Sequence, residues 1–486
     1  MNIARNSIAA AVSLALIACG GGGGSGGGGS PIQGGGTPTP TPTSASCSLS
    51  ARQDFARAVI DEWYLFPELV ATNVSKASFN DVQGYLDALV APARAQAKDR
   101  SFTYVTSIRE ETAFFNSGSS AGFGVRLSYD TTANRVFITE AFEGAPGLAQ
   151  GLDRGVELLA IGNSASGLLS VSSLMASGGH QAVSNALGPS EPGVTRVLRI
   201  REVSGAEREI TVAKADFALD PVSNRYGARI LDDNGKKVGY LNLRTFIDTA
   251  DADLRNAVDG FRQQGVTEVI VDVRYNGGGL VRIAELLGDL LGRDRVGQVF
   301  SRTTLRPSKS GENETDLFGA QSQAIAATKI AFIGTGSTAS ASELVANAFI
   351  PYLQTNTALV GANTFGKPVG QFAFDRAECD DRIRAVTFKT DNAAGQGEYF
   401  TGLASVMPVT CRAADDISVQ LGEPNEASIA TALQFLRGGS AACSRITANG
   451  QDATASAERQ AGLVNARRPL IPARPTAAQR ETPGLF

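Results

Sequence analysis

At 486 residues the chain is long enough to hold two or three domains with a sizeable core. Its 44 Lys and Arg against 48 Asp and Glu leave a net charge of −4, spread along the chain, so it offers no electrostatic footprint for nucleic acid. A single histidine and unclustered acidic residues argue against a metal site, and no stretch beyond the first twenty residues is apolar for long enough to cross a bilayer.

Residues 1–19 combine a basic start at Arg5, an apolar run from Ile8 to Ala18, and then Cys19. That layout is an export signal, too short for a membrane span. Leu16-Ile17-Ala18-Cys19-Gly20 resembles the bacterial lipobox, which implies lipidation of Cys19. Gly20 stands where aspartate would signal inner-membrane retention, so the resemblance implies an anchor in the outer membrane of the cell envelope, facing the periplasm or the cell surface. Residues 20–47 are Gly/Ser-rich, then Pro/Thr-rich, and read as a tether. In residues 48–118, Phe55, Val59, Ile60, Trp63 and Tyr64 recur at helical spacing, which predicts a small helical domain with Trp63 in its core.

Residues 119–215 switch to short strands and turns. Gly122-Phe123-Gly124-Val125-Arg126-Leu127 opens one strand after a glycine loop, and Arg135–Thr139 and Val156–Gly162 supply others. This pattern resembles a PDZ domain, and the resemblance implies that Phe123, Gly124 and Val125 line a site for a substrate's terminal carboxylate. The competing reading is a purely structural β-domain. His180 lies in a glycine- and serine-rich stretch and is read as exposed.

Residues 216–440 alternate strands (Val238–Leu243, Glu268–Asp272, Lys329–Ile333) with helical stripes (Leu254, Val258, Phe261; Ile283, Leu286, Leu287, Leu290), which implies βα crossovers. Three motifs stand out. Gly334–Phe349 reads strand, small-residue turn, helix, and would lift the Ser340 hydroxyl to a sheet end beside a helix N-terminus. Ser340-Ala341-Ser342-Glu343 also matches a capping box, the structural alternative. Thr364–Gln371 supplies Lys367, a better base candidate than the lone upstream histidine provided that burial lowers its pKa. The third motif is Val271-Asp272-Val273-Arg274-Tyr275-Asn276-Gly277-Gly278-Gly279.

In this order and spacing the three motifs resemble the carboxyl-terminal processing (tail-specific) peptidase family of serine proteases. The resemblance implies an α/β fold with a βα-crossover core of the ClpP/crotonase type, an inserted PDZ-like domain and a helical N-terminal domain. It implies Ser340 as nucleophile, Lys367 as general base and Gln371 as the lysine's orienting partner, with Gly278, Gly279 and Ala341 at the oxyanion. Pro368 departs from the glycine often found there. The implied activity is a cofactor-free serine endopeptidase with no metal, acting on proteins or peptides engaged near their C-termini. A catalytically weak or inactive relative that binds peptides or hydrophobic ligands is the alternative.

With Cys19 lipidated, Cys47, Cys379, Cys411 and Cys443 allow three disulfide pairings in an exported chain. Cys379–Cys411 within the core and Cys47–Cys443 at its flanks are favoured. Residues 441–486 are polar, small and Pro/Arg-rich, and read as a disordered tail. That tail ends in Pro483-Gly484-Leu485-Phe486, an apolar terminus of the kind a PDZ groove takes, which raises self-competition or self-trimming.

Overall fold

The computed structural model describes residues 47–130, 132–446 and 467–486; the lipobox cysteine and nearly all of the tether lie outside these. The centre is a six-stranded sheet in the order Ala228–Asp233, Lys236–Asn242, Glu268–Asp272, Lys329–Gly334, Thr357–Gly361, Val409–Arg412. The first two strands form an antiparallel pair, and every later neighbour is parallel, with Asp272 opposite Ile333 and Gly334 opposite Gly361. Runs such as Val269-Ile270-Val271 and Ile330-Ala331-Phe332 are buried because helices cover both faces. Leu254, Val258, Ile283, Leu287, Leu344 and Phe349 pack on one side, and Ile429, Leu433 and Phe435 on the other. The loops leaving Asp272, Gly334 and Gly361 therefore emerge together at the C-terminal ends of adjacent parallel strands, where such sheets place their sites.

A second, five-stranded sheet carries Val369–Arg376 paired to Asp381–Asp391, with Val299–Leu305, Glu314–Leu317 and Tyr104–Ser107. The helices Leu49–Trp63 and Val82–Leu89 pack on it through Val59, Ile60, Tyr64, Leu86 and Leu89. Tyr104–Ser107 is a strand inside the stretch read as helical, and it forms because Ile383 and Arg384 give it a partner edge. Trp63 lies at 6.0 Å from Phe372 and 5.5 Å from Phe374 between ring centroids, with the Lys309 ammonium over its face.

The strands Ser119–Gly122 and Ala215–Ala218 pair with each other, so the segment between them enters and leaves at one point, as an inserted unit does. That unit is a β-domain built on Val125–Asp130, Arg135–Ala141, Glu157–Gly162, Thr195–Arg201 and Glu207–Ala213, with the helix Val171–Leu187 closing its core. His180 is half-buried and stacks on Tyr129 at 4.9 Å, not exposed, because Tyr129 covers one ring face.

Two further sequence expectations are corrected. The disulfides are Cys47–Cys379 and Cys411–Cys443. Cys47 stands just before the helix that Arg52 ties to Asp381, which brings it to the turn holding Cys379. Cys443 follows the helix that returns beside the last core strand, where Arg412 N donates to Ser444 O. The tail is also not disordered throughout. Residues 467–469 form a strand and Ala477–Glu481 a helix, because an open sheet edge and a groove give a polar segment partners that its own composition lacks. The Cys47–Cys379 bridge closes a separation of 332 residues. The double Cys47→Ser/Cys379→Ser variant is therefore expected to lose on the order of 2–4 kcal/mol in denaturant unfolding; an unchanged midpoint would count against the bridge.

Candidate active site

Ser340 ends the turn after Lys329–Gly334 and precedes the helix Ala341–Leu353. Its φ of +55° is a conformation that non-glycine residues rarely adopt and costs on the order of 1–3 kcal/mol. The turn is held in it by bonds to the neighbouring loop. Ala339 N donates to Asn276 O at 3.0 Å, Ser342 Oγ to the same carbonyl at 3.2 Å, and Thr338 Oγ1 to Val273 O at 2.8 Å. Ser340 is half-buried and follows the buried Ser337, Thr338 and Ala339, while Gly336 at the tip of the turn is exposed.

Glu343, one turn into that helix, is fully buried and has more than a capping role. Its Oε2 accepts the Ser340 N–H at 3.1 Å and the Lys367 N–H at 2.7 Å. Its Oε1 accepts Gly366 N–H at 2.7 Å and Thr364 Oγ1–H at 2.5 Å. One carboxylate oxygen thus binds the main chain of both Ser340 and Lys367. Burial pushes the Glu343 carboxyl above its ordinary value, against the four bonds that favour the ionised form.

Lys367 is half-buried along its length, and its ammonium end is enclosed. Nζ donates to Gln371 Oε1 at 2.7 Å and lies 5.2 Å from the Phe102 ring centroid. Gln371 is itself fixed, its Nε2 donating to Phe102 O at 2.5 Å. Burial lowers the Lys367 pKa, and the nearby Glu481 carboxylate opposes that. Arg100 braces the loop from outside by donating to Phe365 O and Gly366 O, while Pro368 O accepts Thr390 N–H at 3.1 Å.

Gly278 lies against the serine: a Cβ there would fall 2.7 Å from Ser340 Cβ and 3.2 Å from Ala341 N. Its own N–H does not point into the site, because it donates to Asn276 Oδ1 at 2.9 Å. Gly279 runs beside Phe246 in an isolated bridge. In this state Gly278 therefore contributes proximity and not an oxyanion donor. Asn276 and Glu343 are the residues that sequence reasoning left without a role in assembling the site. Asn276 is fully buried and donates to Leu243 O at 2.8 Å, so it fixes the glycine loop to the preceding strand. Its signal was its place inside the third motif.

Far from Ser340 in sequence, Gly124 N and Val125 N donate to a terminal oxygen of Phe486 at 2.9 and 3.2 Å. Phe123 meets the docked end with its ring, in the same apolar cluster as Phe486, and its carbonyl accepts Gly147 N–H at 2.7 Å, which closes the loop. Among the described residues no group of three or more His, Cys, Asp or Glu is placed to hold a metal ion.

Residues 237–400 match the family described as Peptidase family S41, and all three sequence motifs lie inside that match. It is 26% identical over 265 residues to the carboxyl-terminal-processing protease of Synechocystis sp., across 54% of this chain and 56% of that protein. It is 27% identical over 285 residues to the chloroplastic C-terminal processing peptidase of Tetradesmus obliquus, across 56% of each. The chain thus spans about half the length of the curated relatives it matches. A Bacteroides fragilis crystal structure named as an S41 protease shares the fold, with a TM-score of 0.59 at 23% identity over 79% of this chain and 97% of that one.

Proposed function

We propose that the protein is a serine endopeptidase in which Ser340 and Lys367 form the catalytic pair. The observation that carries this reading is the shared Glu343 oxygen, which ties the main chains of both residues to one buried group. Ser340 Oγ attacks the substrate carbonyl carbon while neutral Lys367 Nζ takes the hydroxyl proton. Gln371, anchored on Phe102 O, aims that nitrogen. The oxyanion meets the N–H of Ala341 at the helix start, with Gly279 and, once it turns from Asn276, Gly278. The peptide C–N bond then breaks as the lysine returns its proton to the leaving amine, and water hydrolyses the acyl-enzyme by the reverse route.

In this reading the β-domain is PDZ-like and takes the substrate's C-terminal carboxylate at Gly124 and Val125, and the substrates are unfolded or loosely folded proteins. The lipobox at Cys19 supports export and a lipid anchor in the cell envelope. The test is covalent trapping. An acylating peptide electrophile incubated with the intact chain should leave its acyl group on Ser340 by peptide mass mapping, and Ser340→Ala should take none. Acylation of a different serine, or equal labelling of Ser340→Ala, would overturn the assignment.

A further inference from the structure

Residues 467–486 lie along one edge of the strand Val125–Asp130 in two pieces. Arg467–Pro469 pairs with Ser128–Asp130, and Leu470 N donates to Leu127 O at 2.9 Å. The chain then leaves the edge and comes back to it with its end. Leu127 N donates to Gly484 O at 2.7 Å and Phe486 N to Val125 O at 2.9 Å, while Gly124 and Val125 hold the terminal oxygen. The fit is close, since a Cβ on Gly122 would lie 2.6 Å from the Phe486 carboxyl carbon. Phe486 sits in the cluster of Phe123, Val125, Leu127 and Leu187, and Leu485 joins Phe114, Phe142 and Ile247. Their exposures of 2% and 1% mark fully enclosed side chains, not a loosely laid terminus.

The excursion between the two pieces crosses the catalytic loop. Glu481, at the end of the helix Ala477–Glu481, accepts the Gly277 N–H on its main-chain carbonyl at 3.0 Å. Arg126 of the groove strand donates from one nitrogen to Pro483 O at 2.7 Å and to Tyr275 O at 3.0 Å, so a single buried guanidinium touches both the tail and the loop that carries Asn276. Gln479 Nε2 donates to Leu485 O at 2.8 Å, which locks the helix to the docked end. The groove and the strap over the site are thus one continuous structure.

We propose that the last four residues are the groove's resident ligand, and that their docking straps the Ala477–Glu481 helix over the Gly277–Gly279 loop and blocks the Ser340 site. Release requires another free C-terminus ending in a bulky apolar residue, which competes for the same N–H donors and the same pocket. A tethered end is present at an effective concentration on the order of millimolar, so against a groove of roughly 10–100 µM affinity it should weaken external binding roughly 10- to 100-fold. The blocking half of this proposal rests on Ser340 being the nucleophile.

The experiment uses the full chain, a chain ending at Thr482, and full-length Phe486→Asp, which keeps the length while placing a charge in the pocket. The probe is a fluorescent decapeptide of residues 477–486 with a free carboxylate, alongside its C-terminal amide. The free acid should bind the truncated chain and Phe486→Asp at least about 10-fold more tightly than the full chain, and the amide should bind none of them well. Cleavage of an unfolded reporter protein should rise by a similar factor in both altered chains, independently of enzyme concentration. Equal peptide binding to all three chains would overturn the docking. Tighter binding with unchanged, measurable cleavage would overturn the blocking while leaving the groove assignment. Absence of cleavage in every chain, with the binding difference intact, would instead sink the peptidase reading on which the blocking depends. A release that varies with enzyme concentration would place the tail in a second copy and overturn the intramolecular assignment.

Discussion

Lys367→Arg is expected to lower hydrolysis of an unfolded reporter about as far as Lys367→Ala and Ser340→Ala do, on the order of 10³-fold or more. A general base must shed its proton, and a guanidinium does not do so at any working pH. In the native protein, burial lowers Lys367 below its ordinary 10.5. Among the charges around it, Glu481, Asp99 and Glu343 push the value back up, and Arg384 pushes it down. The sign follows directly: the neutral fraction of Lys367 grows as pH rises, so kcat/KM should climb with pH through a midpoint below 10.5. Glu481 gives the largest opposing charge, so Glu481→Gln should move that midpoint to lower pH. A pH–rate series on wild type, Glu481→Gln and Lys367→Arg checks all three statements. An arginine variant that still cleaves would reduce Lys367 to a source of positive charge.

How much of this site was legible in the sequence depended on how local each signal was. Ser340, Lys367 and Gln371 sit in short motifs whose strand, turn and helix are written within a few residues of them. Glu343 was legible only as the fourth residue of a capping box. Its bonds to Thr364, Gly366 and Lys367 cross to the next strand's loop, and no periodicity announces them. The core strands were readable because burial on both faces leaves continuous apolar runs. Tyr104–Ser107 was hidden because its partner, Asp381–Arg384, lies in a distant part of the chain. The disulfides failed for the same reason: four cysteines give three pairings, and only the packing of Leu49–Trp63 on the second sheet decides among them.

The tail is the instructive failure. Small, polar, Pro- and Arg-rich residues cannot form a core by themselves, and on composition 441–486 reads as disordered. What orders 467–486 is supplied by the rest of the fold: unpaired N–H and C=O groups along Val125–Leu127, and apolar pockets for two side chains. The sequence did carry one relevant signal, the apolar Leu485-Phe486 pair, whose side chains fill those pockets.

Glu343→Ala should produce the largest combined loss of stability and activity of any single change outside the Ser340–Lys367 pair. The side chain is 0% exposed and accepts four hydrogen bonds, three from main-chain N–H groups and one from the Thr364 hydroxyl. Alanine leaves those four donors facing a cavity, and a buried donor without a partner costs roughly 1–3 kcal/mol, so a loss of at least about 3 kcal/mol in chemical denaturation is expected even if water reaches some of them. Glu343→Gln separates the structural from the catalytic consequence. The amide fills the same volume and keeps one acceptor oxygen, but its NH₂ must face N–H donors that the carboxylate satisfied. With Ser340 and Lys367 sharing Oε2, whichever way the amide turns, either those two main chains or the Gly366–Thr364 pair loses its acceptor. The glutamine variant should therefore stay folded while kcat drops by on the order of 10²-fold, the scale on which small misplacement of reacting groups acts, with KM little changed because none of the Glu343 partners lies on the strand Val125–Asp130. A folded Glu343→Ala enzyme with wild-type kcat would show that the shared oxygen does not position the pair, and would take away the support on which the catalytic assignment chiefly stands.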